Sequence, residues 1–186
     1  VVRLMTIHKS KGLEFPVVFV AGLGKSFNKQ DLRRNDLLDK DLGFAAHFVH
    51  PDLRVSYPTL AQLAVKKKQS LELLAEEMRV LYVALTRARE KLYLVGTTKK
   101  LENEKKRWRS VQRHEDWLLP DYVRASAKNY LDWIGYALIR HADSFPLHEG
   151  AVQDSDIAVH PSCWNVQIVS ASEMYQQAEA SEQTTE

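Results

Sequence analysis

The run PVVFVA at residues 16–21 points to a parallel sheet. It is short, wholly apolar, preceded by a charged stretch and followed by Gly22. Such a run is the pattern of a strand buried on both faces of a parallel sheet. Upstream, VVRLMTI at residues 1–7 reads as a second strand, and HKSKGLEF at residues 8–15 separates the two with charges and Gly12. Downstream, residues 22–36 are polar and read as a loop, and LLDKDLGFAAHFV at residues 37–49 has two apolar arms around residues 39–43, a hairpin pattern. From Thr59, just after Pro58, a helical period begins. Leu60, Leu63, Ala64, Leu71, Leu74, Met78, Leu81, Tyr82 and Leu85 recur at spacings of three and four, which predicts one apolar stripe facing a core as far as about Glu90. KLYLVGT at residues 91–97 then reads as another strand. Strand, loop, strand, helix, strand is an α/β order.

Beyond residue 97 the character changes. Residues 99–109 read as a charge-rich connector, and residues 122–141 are amphipathic, with Ala127, Tyr130, Leu131, Ile134, Leu138 and Ile139 as expected core contacts. Residues 151–186 form an acidic tail with an apolar stretch at 166–169, and residues 175–186 (YQQAEASEQTTE) read as disordered. The expected organisation is therefore a first domain over 1–100, a helical extension over 101–150 and the tail over 151–186.

With 45% hydrophobic and 27% charged residues, 7 Gly and 6 Pro, the 186-residue chain has the composition of a folded domain and excludes wholesale disorder and collagen-like sequence. The single cysteine, Cys163, excludes an internal disulfide framework and points to a reducing, cytoplasmic setting. No apolar run approaches the ~20 residues of a membrane helix. Val1 opens no recognisable signal peptide, and a start at valine suggests a piece of a longer protein. The net charge of +2 averages unlike parts. Residues 1–100 hold 18 Lys+Arg against 10 Asp+Glu, residues 101–150 hold 8 of each, and residues 151–186 hold 6 acidic and no basic residues. A basic first half suits an anionic partner such as nucleic acid or nucleotide.

Two stretches carry chemistry. The first, MTIHKSKGLEF at residues 5–15, delivers a hydroxyl, an imidazole, amines, a glycine and one carboxylate at a strand end. Such donors suit phosphate oxygens, which position a nucleic-acid strand without reading its bases. Glu14, alone among cations, suits a hydroxyl such as that of a ribose. A charged surface loop is the other reading. The second stretch, EEMRVLYVALTRAR at residues 76–89, presents Arg87 near a helix end, as an arginine finger reaching a γ-phosphate would be. In the plainer reading, Glu76 and Arg79 pair on the helix surface, and Arg87 and Arg89 are solvated.

Together, T-x-H-x-S-K-G-L-E-F and E-E-x-R-x-L-Y-V-A-x-T-R-A resemble motifs V and VI of the UvrD/Rep-type superfamily 1 DNA helicases, over residues 1–97. The spacer between the motifs, VVFVAGLGKSFN at 17–28 and NYLDWIGYALIRH at 129–141 resemble the AddA branch of bacterial helicase–nucleases in double-strand-break repair. The resemblance implies a RecA-like second motor domain (P-loop NTPase fold), a parallel sheet flanked by helices, followed by a mostly helical extension. It implies that Glu14 and Gly12 lie at the nucleotide, that Arg87 is the γ-phosphate finger, and that Thr6, His8 and Lys11 lie on the DNA track, with Lys11 and Gly12 linking the two sites. It further implies ATP and Mg2+ as cofactors of a full-length parent in the bacterial cytoplasm, 3′-to-5′ movement on DNA, and partnership with single- and double-stranded DNA. The missing first RecA-like domain and a second helicase–nuclease subunit complete the implied partners, with no membrane. The Walker A lysine, the Walker B acidic pair, the metal ligands and the nuclease motif are absent from this chain, so the piece alone is expected to be inactive. The competing class is a non-enzymatic DNA-binding or protein-interaction domain on a RecA-like fold.

Smaller features add little. Gly24-Lys25-Ser26 follows a strand, but a P-loop needs glycine where Phe19 stands, so it reads as a polar loop. His160 and Cys163 lack a second ligand pair. Lys66-Lys67-Lys68 is either a phosphate track or, as preferred, a solvated helix face. Trp108, Trp117, Trp133 and Trp164 are expected in packing rather than base stacking.

Overall fold

The computed structural model describes residues 1–148, 150–152 and 154–174. The expected disorder of residues 175–186 lies outside the described residues. The chain divides into two compact units, one of Val1–Lys99 with Pro120–Asp132, the other of Lys100–Leu119 with the residues from Trp133 on.

In the first unit, strands β1 (Phe15–Val20) and β5 (Ala88–Leu94) pair in parallel, with Val17, Val18, Phe19 and Val20 opposite Lys91, Leu92, Tyr93 and Leu94. The register slips between Phe15 and Val17. Pro16 stands there and has no N–H for the ladder. Between the two strands the chain inserts an antiparallel meander, β2 (Asp36–Asp39), β3 (Gly43–His50) and β4 (Val55–Pro58), and then helix α1 (Leu60–Leu85). The α/β reading stands, and the expected hairpin is β2–β3. The third strand was not foreseen, because VSYP is short and ends in proline.

Four expectations need correcting. Residues 1–6 form no strand, and Val1, Val2 and Leu4 are fully exposed; a β-branched run becomes a strand only beside a ladder partner. β1 is not buried on both faces: Val17 and Phe19 are exposed, and the Phe19 ring stacks on that of Tyr93 at 4.3 Å. Helix α1 stops at Leu85 rather than near Glu90, because from Ala88 the chain pairs with β1. Its buried residues are Gln62, Val65, Leu74, Leu81 and Ala84, whereas Leu60, Leu63, Leu71, Met78 and Tyr82 of the expected stripe are exposed. The N-terminal half of α1 packs on the meander, where Val65, Leu37 and Ala45 form a small core.

Lys68 also departs from expectation. Its ammonium lies 2.7 Å from Asp39 and 2.5 Å from Asp41, so it ties α1 to the β2–β3 turn instead of facing solvent. The Lys68 hydrogen bond, with the backbone N–H groups of Leu42 and Asp41 at 2.9 Å, holds the Asp39 carboxyl at about 2, and the same pairing raises Lys68 above the ordinary lysine value. A carboxyl depressed in the fold stabilises it above the ordinary value of about 4 and loses that contribution as pH falls towards 2. Thermal melts from pH 7 to pH 2 should therefore show the melting temperature falling below about pH 4. Asp39→Asn should remove that part of the decline. An unchanged pH profile in Asp39→Asn would count against the pairing.

The expected connector at 99–109 contains a helix, α2 (Leu101–Trp108). Glu102 and Glu104 lie in its first turn and Lys105, Lys106 and Arg107 in its last, matching the helix dipole, and Lys105–Glu102 and Arg107–Glu104 pair along it. Residues 122–141 contain the end of helix α3 (Asp121–Ser126) and all of α4 (Tyr130–Leu138). The break between them is a cap: Asn129 accepts the Asp132 N–H at 2.9 Å, and buried Asp132 accepts that of Lys128 at 2.8 Å. In the second unit Trp108 and Trp133 are buried, as are Tyr136 and Ile139, whereas Trp117 is 62% exposed. No helix among the described residues is long and apolar enough to cross a membrane.

A candidate nucleotide and DNA site at one edge of the parallel sheet

Because β1 and β5 run parallel, their N-terminal ends lie side by side, and each is entered from one of the two motif stretches. Residues 5–15 lead into β1, while residues 76–89 end α1 and open β5. Arg87 joins them. Its backbone carbonyl accepts the Phe15 N–H at 2.9 Å, and its Nη1 donates to the Leu13 carbonyl at 2.9 Å. Glu14 therefore sits between two residues that are both bonded to Arg87, with its own side chain exposed.

The helix end prepares this junction. Thr86 caps α1: its N–H returns to the Tyr82 carbonyl, and its hydroxyl donates to the same carbonyl at 2.9 Å. Arg87 Nε donates to the Val83 carbonyl at 2.9 Å and Nη2 to the Thr86 hydroxyl at 3.0 Å. Three of the five guanidinium N–H groups are thus held. The other two make no hydrogen bond among the described residues, and the three that are held fix the plane of the fork.

Ahead of β1, Thr6 and His8 lie around a short 3-10 turn, His8–Ser10, against which α1 packs. The turn is closed by the Thr6 carbonyl, which accepts the Lys9 and Ser10 N–H groups, and by buried Ser10, whose hydroxyl donates to Ile7 at 2.7 Å. His8, Lys9 and Lys11 are exposed. Gly12 follows at φ +81° with open space where a Cβ would stand, so the glycine answers to conformation and not to crowding. Among the described residues no group of three His, Cys, Asp or Glu could hold a metal ion.

The family of UvrD-like helicase C-terminal domains matches residues 1–99, the segment that holds both motif stretches and both parallel strands. The chain belongs to that family. It is also similar to an ATP-dependent helicase/nuclease subunit of Geobacillus kaustophilus, 59% identical over 174 residues that make up 94% of this chain and 14% of the relative. Its identity to the protein of the same name from Anoxybacillus flavithermus is 57% over 183 residues, 98% of this chain and 15% of the relative. For that of Bacillus cereus strain AH820 the identity is 56% over 172 residues, 91% of this chain and 14% of the relative. The chain thus spans about 14% of the length of the relatives it matches.

Within this UvrD-like domain, sequence reasoning missed Thr86 and the Leu13 carbonyl, whose roles need the fold. It also missed Tyr130, whose hydroxyl donates to Glu77 of the second motif from 53 residues away. Burial, then the Glu77 carboxylate, raises the Tyr130 hydroxyl above its ordinary value. Glu76 and Arg79 do pair on the exposed helix surface, at 2.8 Å. Within and beside the GKS stretch, the N–H groups of Lys25, Leu23 and Phe27 donate to the carbonyls of Gly22, Val95 and Lys128. A phosphate cradle needs such groups free.

Proposed function

We infer that the chain is the part of an ATP-dependent DNA helicase that forms one wall of the ATP site and part of the single-stranded DNA track, in a RecA-like second motor domain moving 3′ to 5′. The observation that carries this reading is the bonding of Arg87 to both neighbours of Glu14, which makes one unit of the two motif stretches. The relatives share the name of an ATP-dependent helicase/nuclease, which supports extending helicase activity, and nuclease activity elsewhere, to the parent polypeptide.

ATP, when bound, supplies the phosphoanhydride whose cleavage drives movement. Arg87 directs its two remaining N–H donors at the γ-phosphate and stabilises charge that develops there, and Glu14 accepts a hydrogen bond from the sugar hydroxyl. Thr6, His8 and Lys11 contact the DNA strand, and the Lys11–Gly12 turn couples it to the nucleotide. Mg2+ is held by residues outside this chain, as is the Walker A lysine, so the isolated piece neither hydrolyses ATP nor cuts DNA. A preceding RecA-like domain, a bacterial cytoplasmic setting and a second helicase–nuclease subunit complete the proposal.

The test uses the full-length parent on duplexes with one single-stranded tail. Unwinding of the 3′-tailed substrate and not of the 5′-tailed one is expected. Glu14→Gln should raise KM for ATP about tenfold, the scale of one charge-assisted hydrogen bond, and leave kcat nearly unchanged. Unwinding from the 5′ tail, or an unaltered KM, would count against the assignment.

A further inference from the structure

The lysines and glycine–lysine pair that the motifs left unused converge on one feature. The loop that leaves the C-terminal end of β1 lies against the first turns of α1. Between them is an open cleft of about 480 Å3 lined by Lys29, Arg33, Lys66 and Lys67, with Leu32 and Leu63 as apolar floor. It shares Lys29 and Arg33 with a second depression of about 380 Å3 that adds Lys25. No carboxylate lines either one. Lys25, Arg33, Lys66 and Lys67 are exposed and Lys29 half-buried, and among the described residues none of the five has an ion pair. Lys68, the third member of the lysine run, is drawn away to Asp39 and Asp41, so the run is split between a structural tie and this groove.

The groove lies far from the motif edge. The motifs stand where β1 and β5 begin, whereas this loop departs where β1 ends. Along α1, Lys66 and Lys67 are 18 or more residues before Leu85, roughly 28 Å at 1.5 Å per residue.

We propose that this groove is a second nucleic-acid contact, taking a phosphodiester backbone without reading sequence. The choice of nucleic acid as ligand rests on the helicase reading, while the groove itself rests on the five converging cations. Lysine ammoniums are hydrated point charges on flexible stems, suited to successive phosphates rather than to base edges. Two adjoining depressions that share Lys29 and Arg33 and are lined by five cations suit several phosphates better than one. A single strand and a duplex offer the same backbone chemistry, and the experiment separates them.

The test measures anisotropy of a labelled 20-nucleotide single strand and of its duplex, titrated with the 186-residue chain over a range of salt. The variant Lys29→Gln/Arg33→Gln/Lys66→Gln/Lys67→Gln should lower affinity at ~50 mM salt at least tenfold. It should also reduce the slope of log affinity against log salt by about 3 for a single strand and nearer 4 for duplex, according to which the groove holds. The pair Lys66→Gln/Lys67→Gln should give about half that change, and all variants should melt with the parent chain, since the side chains lie at the surface. A control, Lys40→Gln/Arg54→Gln/Lys106→Gln/Arg113→Gln, removes the same charge elsewhere and should move the slope far less. Equal slopes for groove variant and control would overturn the proposal. So would displacement of the oligonucleotide by polyglutamate as effectively as by unlabelled single strand at equal charge, which would make the groove a site for acidic protein. Neither outcome touches ATP turnover in the parent, so the groove and the motor reading fail separately.

Discussion

Trp108→Ala should cost the second unit about 3–5 kcal/mol, the range for deleting a large buried aromatic. The indole is 2% exposed and closes α2. A Cβ added at Gly135 would run into its ring, so that helix position is a glycine because the aromatic lies directly on the backbone. Val111, Tyr136 and Ile139 are buried in the same unit. Domains of this kind have only about 5–15 kcal/mol of net stability, so the loss takes a large share of it. Hydrogen exchange resolved by residue should show the amides of residues 136–141 losing most of their protection in Trp108→Ala, while those of β1 and β5 keep theirs. Unaltered protection at residues 136–141 would mean that the indole is not what holds that unit together.

How much was legible beforehand follows from which interactions are local. Helix α1 was readable because Thr59 caps it, accepting the Gln62 N–H at 3.2 Å, and because its apolar residues keep a helical period. Its C-terminal end was not readable, since residues 86–90 continue that period and only the pairing of Phe15 with Ala88 turns them into strand. The run at 1–7 has strand-forming residues but no ladder partner. The run at 16–21 has the composition of a doubly covered strand, yet Val17, Phe19 and Tyr93 face outward. Composition records what a strand tolerates, whereas burial depends on which layers lie against it.

The site divides in the same way. The residue types at Thr6, His8, Gly12, Glu14 and Arg87 are visible in the sequence. The connections that orient them are not. The bond from Arg87 to Leu13 spans 74 residues, that from Tyr130 to Glu77 spans 53, and that from Lys68 to Asp39 spans 29. The first is made by the crossover from β1 through α1 to β5, the second by α4 returning to α1, and the third by α1 lying against β2. Lys66 to Lys68 looked alike in the sequence and are unlike in the fold.

Arg87→Ala in the full-length parent should lower ATP turnover by about 10³-fold or more, the effect of removing an arginine finger. Arg87 both keeps two N–H donors unbonded among the described residues and fastens the motif edge through Leu13, Val83 and Thr86. Loss of the fastening alone would weaken ATP binding and stability along with turnover. Loss of a contact made in the transition state lowers kcat and leaves binding nearly intact. Arg87→Lys keeps the charge but not the planar fork, and should recover little of the lost rate.

In the proposed function this chain brings the γ-phosphate contact to a DNA-driven ATPase. The most direct test is single-turnover ATP hydrolysis by the parent carrying Arg87→Ala, with saturating single-stranded DNA, beside equilibrium ATP binding by the same variant. The expected result is a single-turnover rate lower by about 10³-fold or more, with the dissociation constant within a few-fold of the unsubstituted parent. A rate equal to that of the unsubstituted parent, or a loss of rate wholly matched by loss of binding, would contradict it.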